Sequence, residues 1–313
     1  MFHRFRTSRH KRRFNQLTHK ILETPPIQII DANWSIISMV SNSDVQMYIL
    51  SVKSFYARIG RGKVIAIIDR NIPPQARALL EEHIKGIQFV ILEDIETGRC
   101  QRGGTWERLI YLLKHAQSEY AIQLDSDTLA FGADLSEIVS CAENNRAFTL
   151  NQNFNQIQTM REYSESSLKL DGKYLGIYLE QMFSMYPNCN SLYYVRASSG
   201  LAGFAVGGFS PEKIEEFHES MRQIVGDEIW KKWGTEQCAS NFAVANSPNA
   251  LVLPYPKYAN FDPISVWPNN TSDDENSFLH FIGTYRYDHD FFAEKALIVI
   301  DKLNKKRDLH QNL

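Results

Sequence analysis

Cysteine is scarce. The 313 residues hold four (Cys100, Cys141, Cys189 and Cys238), widely scattered, with no C-x-x-C and no zinc-ligand spacing. That excludes a disulfide framework and a structural zinc module, and it implies reduced, partly buried thiols of the kind found in the cytoplasm. No stretch approaches the roughly 20 apolar residues of a membrane span, and no signal-peptide apolar region is present, so the chain is expected to be cytoplasmic. No G-x-G-x-x-G follows the first apolar strand, and G-x-x-x-x-G-K-[ST] occurs nowhere. Dinucleotide oxidoreductases and P-loop NTPases are thereby disfavoured. What remains is an ordinary globular composition: 43% hydrophobic, net charge -2 and long enough for one large domain or two small ones.

Acidic residues are missing from the first 22 positions, where Arg4, Arg6, Arg9, Lys11, Arg12, Arg13 and Lys20 accumulate. Setting those seven aside from the 34 basic residues leaves 27 against 36 acidic, so the body carries about -9. Residues 1–29 are expected to form a flexible basic tail. With Phe2, Phe5 and Phe14 it suits peripheral contact with an anionic membrane surface. Nucleic acid is not expected, because no aromatic-basic module follows.

Beyond Pro25-Pro26 the pattern alternates. Apolar runs at 35–40, 63–69 and 87–92 predict strands, and the second has no alternation, as suits a strand covered on both faces. Helical spacing after Ser41-Asn42-Ser43-Asp44 runs from Val45 to a stop at Gly60. A second helix opens at Pro73-Pro74, and a third, with Thr105 as its cap, leads to Tyr120–Leu129. Gly103-Gly104 before it reads as a plain turn. The expectation is an α/β fold with a mostly parallel central sheet flanked by helices. Further on, Ser210-Pro211-Glu212 opens a helix that ends at Gly226. Trp230 and Trp233 read equally as core or as sugar-stacking residues.

The chemistry gathers on Leu124-Asp125-Ser126-Asp127. Alternation along a strand would turn Asp125 and Asp127 to one side, at the carboxyl end of the sheet where ligands collect. Two carboxylates aimed together repel unless a cation lies between them, and a hard divalent ion is the usual one.

With Arg108 on the preceding helix and Gly132-Ala133-Asp134-Leu135-Ser136-Glu137 following, this stretch resembles the donor-binding half of nucleotide-sugar glycosyltransferases of the GT-A fold. The nearest likeness is to family 8, the glycogenin- and galactosyltransferase-like group. Its H-x-x-G-x-x-K motif is similar to His280-Phe281-Ile282-Gly283-Thr284-Tyr285-Arg286, and its D-Q-x-x-x-N motif to Glu236–Asn241. Its N-S-G followed by an apolar strand is matched, without the two polar residues, at Gly203. The resemblance implies Asp125, Asp127 and His280 as ligands of Mn2+ or Mg2+. Donor contacts are expected at Val40, Ser41, Arg108, Asp125, Asp127, Gly203, Gly283 and Arg286, and catalytic or acceptor roles at Glu236 and Gln237. Glu236 is read with Thr235 as a capped helix start, where a carboxylate is favoured in any case.

One catalytic domain over 30–300 is expected, with a donor half at 30–150, an acceptor half at 151–295 and a polar tail at 301–313. The implied activity is metal-dependent transfer of a sugar, expected to be a UDP-linked hexose, to a hydroxyl of a glycan, lipid or protein. A sugar-phosphate nucleotidyltransferase is the first alternative, although Ser41–Asp44 lacks the Gly-rich, Arg-Lys signature of those enzymes. A catalytically inactive sugar-nucleotide or glycan-binding protein is the second. Asn269–Glu275, just before His280, is expected to be a mobile lid.

Overall fold

The apolar run without alternation becomes the middle of a parallel sheet. A computed structural model of the chain describes residues 2–132, 134–151, 155–261, 276–283, 286–287 and 290–311. Strands β1 (Trp34–Val40), β2 (Lys63–Ile68), β3 (Gln88–Ile91) and β4 (Tyr120–Leu124) stand in the spatial order 3-2-1-4, all parallel. Helices α1 (Phe2–Leu17), α2 (Val45–Ile59), α3 (Pro74–His83) and α4 (Trp106–His115) accompany them. Gly60 ends α2 in the left-handed conformation at φ 75°, which no β-carbon penalises in glycine.

After a short strand β5 (Thr128–Ala130) and helix α5 (Ser136–Glu143), strand β6 (Phe148–Asn151) joins the same sheet. Helices α6 (Met160–Ser167) and α7 (Leu175–Gln181) lead to β7 (Ala197–Phe204), which lies between β6 and β4 and runs against both. Helix α8 (Pro211–Val225) starts as the sequence predicts, with the Ser210 hydroxyl accepting from Lys213 N and Pro211 in the first turn. Helix α9 (Thr235–Ala245) and strand β8 (Leu251–Val252) complete a seven-stranded sheet in which only β7 is antiparallel. A second sheet carries β9 (Tyr258–Phe261), β10 (Phe278–Phe281) and β5, and α10 (Phe291–Gln311) closes the chain.

One expectation about the ends changes. Residues 1–29 are not a loose tail over their described length: Phe14 and Ile21 are buried, and Phe14 packs on Phe292 with ring centroids 4.5 Å apart. At the other end the polar tail from 301 is helical, with α10 running through 301–311. The Phe14 ring, set among many basic residues, packs α1 against Tyr287 and Phe292. All four cysteines are free and buried. Among the described residues no helix is long and apolar enough to cross a membrane. The expected lid at 269–275 lies outside the described residues.

Candidate functional site

The strand order reverses between β1 and β4, and ligands on such sheets enter at that reversal, beyond the carboxyl ends of the strands. Val40 closes β1 there, Ser41 follows it, and Asp125 follows β4 directly. The carboxylates do not converge by strand alternation, because β4 ends at Leu124. Instead the chain turns through 125–127 and leaves as β5. The turn is pinned from four sides. Asp125 N donates to Gly200 O at 2.9 Å and Phe281 N to Asp127 O at 2.8 Å. Ser51 and Thr128 hydroxyls donate to Asp125 O at 3.0 and 2.8 Å.

His280 on β10 completes a cluster in which one ligand atom from each of Asp125, Asp127 and His280 lies within 4.8 Å of the others. His280 Nε2 stands 3.4 Å from Asp127 Oδ1 and 3.9 Å from Asp125 Oδ2. The other oxygen of each carboxylate is held by an arginine: Asp125 Oδ1 by Arg108 and Asp127 Oδ2 by Arg286. His280 Nδ1 lies 2.9 Å from both Asn260 Oδ1 and Ser198 Oγ. Asn260 Oδ1 accepts from Nδ1, which leaves Nε2 as the ring nitrogen that faces the carboxylates. This donor set, two carboxylate oxygens and one imidazole nitrogen with both partners of each group satisfied behind it, fits a divalent ion such as Mn2+ or Mg2+.

The charges perturb one another. For Asp127, burial works to raise the pKa, but His280 and Arg286 overcome it and hold the carboxyl well below its usual range. Burial would lower the His280 pKa, and the charges of Asp127 and Asp125 leave it raised. Glu236, on α9, is 2% exposed, and burial raises its pKa against the opposing pull of Arg108. Its Oε1 lies 3.4 Å from Arg108 Nη2, while Oε2 accepts from Thr105 Oγ1 at 2.9 Å. Thr105 therefore does not cap α4. It adopts φ 72°, and its hydroxyl reaches across to Glu236. Nor does Thr235 cap α9, whose cap position is Gly234 at φ 102°.

Gly203 is displaced from its expected role. It sits inside the sheet opposite Ile122, where a β-carbon would meet Phe148 and the Tyr120 hydroxyl at 2.3 Å. The glycine at the cluster is Gly200, where a β-carbon would lie 2.4 Å from His280 Nδ1. Three residues before Gly203, Ser198 and Gly200 both lie against the His280 ring. A serine pair and a glycine at the start of an apolar strand were the available signal. Gln237 Oε1 lies 3.4 Å from Ser199 N, on the same edge. Gly283 stands near Arg286, which lies 3.7 Å from where its β-carbon would be. Asn260 had no signal at all, since only the pairing of β9 with β10 sets it beside His280. Gly103 is a turn residue, as expected, and its N–H donates to Glu107 at 2.8 Å. Trp230 is core, whereas Trp233 is 77% exposed.

No protein-family model matches the chain, and no curated protein matches it by sequence. Solved structures do. It is similar to the bifunctional glycosyltransferase WbbM, with a TM-score of 0.52, 14% identity and 92% of this chain covered. That match takes in only 53% of WbbM, so the chain spans about half the length of that protein. It is also similar to the galactosyltransferase LgtC in complex with donor and acceptor sugar analogues, with a TM-score of 0.51 and 13% identity over 86% of this chain and 95% of LgtC. On the sheet order, the turn after β4 and these likenesses together, the chain has the GT-A fold of glycosyltransferases.

Proposed function

We propose that the protein is a metal-dependent glycosyltransferase moving a hexose from a nucleoside-diphosphate sugar, UDP-linked, to a hydroxyl of a glycan, lipid or protein acceptor. The observation that carries this is the division of labour at the cluster: each aspartate gives one oxygen to an arginine and turns the other toward His280 Nε2. Asp125, Asp127 and His280 would hold Mn2+ or Mg2+, which when bound offsets the negative charge of a diphosphate leaving group. Arg286 orients that diphosphate, with Gly283 giving close backbone approach and Val40 and Ser41 bordering the nucleotide. Glu236 has both oxygens engaged, which supports a positioning role through Arg108 over direct proton transfer. Gln237 is half-buried at the mouth, with Oε1 turned to Ser199 and its amide nitrogen left for the sugar.

The test is turnover of UDP- and GDP-sugars with MnCl2, following nucleotide release. Release of the nucleoside diphosphate supports transfer, release of pyrophosphate indicates a nucleotidyltransferase, and binding without turnover indicates an inactive binding protein. The buried thiols fit a cytoplasmic setting. Exposed Arg9, Arg12 and Lys20 support a peripheral contact with an anionic membrane surface. Because Phe14 and Ile21 are core residues, the suitable variant is Arg9→Glu with Arg12→Glu rather than a deletion. Unchanged sedimentation with phosphatidylserine vesicles would rule that contact out.

A further inference from the structure

Strand β7 breaks step beside the cluster. Against β6 it pairs Ala197 with Asn151 and Ser198 with Leu150, then resumes with Ala202 opposite Thr149. Against β4 its pairing begins at Leu201, opposite Leu124. Ser199 and Gly200 therefore lie in a bulge, with no paired residue on either neighbouring strand among the described residues. A bulge re-aims the strand and leaves backbone groups that need partners from elsewhere.

Each of those groups has one. Gly200 N donates to Ser198 Oγ at 3.3 Å, and Gly200 O accepts from Asp125 N at 2.9 Å. Ser199 N donates to Gln237 Oε1 at 3.4 Å, and Ser199 O accepts from Gln123 Nε2. Gln123 stands on β4 between Ile122 and Leu124 and is fully buried, and its Oε1 has no hydrogen-bond partner among the described residues. A buried amide with one end unpaired costs stability, so its presence in an apolar strand calls for a reason. Its one bond goes to the bulge, and the bulge is what meets His280. Ser198 Oγ lies 2.9 Å from His280 Nδ1, and a β-carbon at Gly200 would come within 2.4 Å of the same atom. Any drift of the bulge moves the wall on which the imidazole rests.

We propose that Gln123 is a positioning residue for the metal: by holding Ser199 O it sets the bulge of β7 in the shape that seats the His280 ring against Asp125 and Asp127. This rests on the reading of the cluster as a divalent-cation site. It gives the polar residue of an otherwise apolar strand a task two residues before the first aspartate.

The experiment titrates MnCl2 into the full chain and follows free Mn2+ by electron paramagnetic resonance, with the imidazole nitrogen modulation of bound Mn2+ as a second readout. Gln123→Met keeps the length and loses the donor. It is expected to bind Mn2+ about tenfold more weakly and to lose most of the nitrogen signal. In a His280→Ala background, Gln123→Met should add nothing. Tyr120→Phe is the control for general loosening. It removes another side-chain bond from the same strand, Tyr120 Oη to Arg146 O at 2.7 Å, and is expected to bind Mn2+ as the wild type does. Unaltered affinity in Gln123→Met overturns the inference. So does an equal loss in Tyr120→Phe, or a further loss in the His280→Ala background. A wild-type protein that binds no Mn2+ sinks this inference together with the proposed function, whereas Mn2+ binding indifferent to Gln123 sinks this inference alone. Should Gln123→Met melt early, Gln123→Leu carries the comparison.

Discussion

The two carboxylates of the cluster are held by arginines in very different surroundings. Arg108 belongs to α4, its side chain is 6% exposed, and it bridges Asp125 to Glu236, itself tied to Thr105. Arg286 lies in the short segment between β10 and α10, its side chain is 22% exposed, and its neighbour Tyr287 packs on Phe14 of α1. A buried charge network resists rearrangement, because breaking one link leaves a charge uncompensated in the interior. Exposure does not separate the two pairs, since each has one buried member and one that is 22% exposed. The difference lies in the links: Arg108 pairs with two carboxylates, Asp125 and buried Glu236, whereas Arg286 pairs with Asp127 alone among the described residues, so the Asp125 wall has more contacts to break.

The largest effect is expected at the carboxylate of the second wall. Asp127→Asn should lower turnover by roughly 10²–10³-fold while leaving the melting temperature nearly unchanged, read by nucleotide release and calorimetry. Arg108→Met attacks the Asp125 wall. It strands Glu236 and should destabilise the fold by about 3–5 kcal/mol, measured by urea unfolding. Equal loss of stability from Arg286→Met would erase the distinction between the walls.

Next comes a pair of glycines three residues apart on β7. Gly200→Ala pushes on His280 and should weaken Mn2+ binding by about 10–100-fold, as loss of ligand support does elsewhere. Gly203→Ala presses instead on Phe148 and Tyr120 and should cost about 1–3 kcal/mol of stability with Mn2+ affinity intact. Smallest is Arg286→Lys, which keeps charge but loses the fork. A loss of affinity for UDP of about tenfold or less, with unfolding unaffected, fits the wall with fewer links.

Much of the sheet and helix order was legible in the sequence because its signals are local. Strands β1 and β2 show as unbroken apolar runs, Gly60 marks the end of α2, and Ser210-Pro211 marks the start of α8. The cluster residues Asp125, Asp127, His280 and Arg286 were legible as spaced motifs, and the structure brings those four together. Other readings failed where a side chain answers to a distant partner. Thr105 looks like a helix cap until Glu236, 131 residues away, accepts its hydroxyl. Gly203 was read as the motif glycine and Gly200 was not singled out, because only the His280 ring against Gly200 marks it. The basic N-terminal segment read as a loose tail because its few apolar side chains have no regular period. Phe14 finds Tyr287 and Phe292 only once the last helix is in place.

By itself the sequence determined the alternation of strands and helices and the presence of paired carboxylates after an apolar strand, since periodicity and turn chemistry act over a few residues. The tertiary structure decided which oxygen of each carboxylate faces His280, which glycine makes room for that ring, and that Gln123 reaches the bulge of β7. Those are contacts between residues far apart in the chain, and their strength depends on distance and burial, quantities that exist only after the sheet has formed.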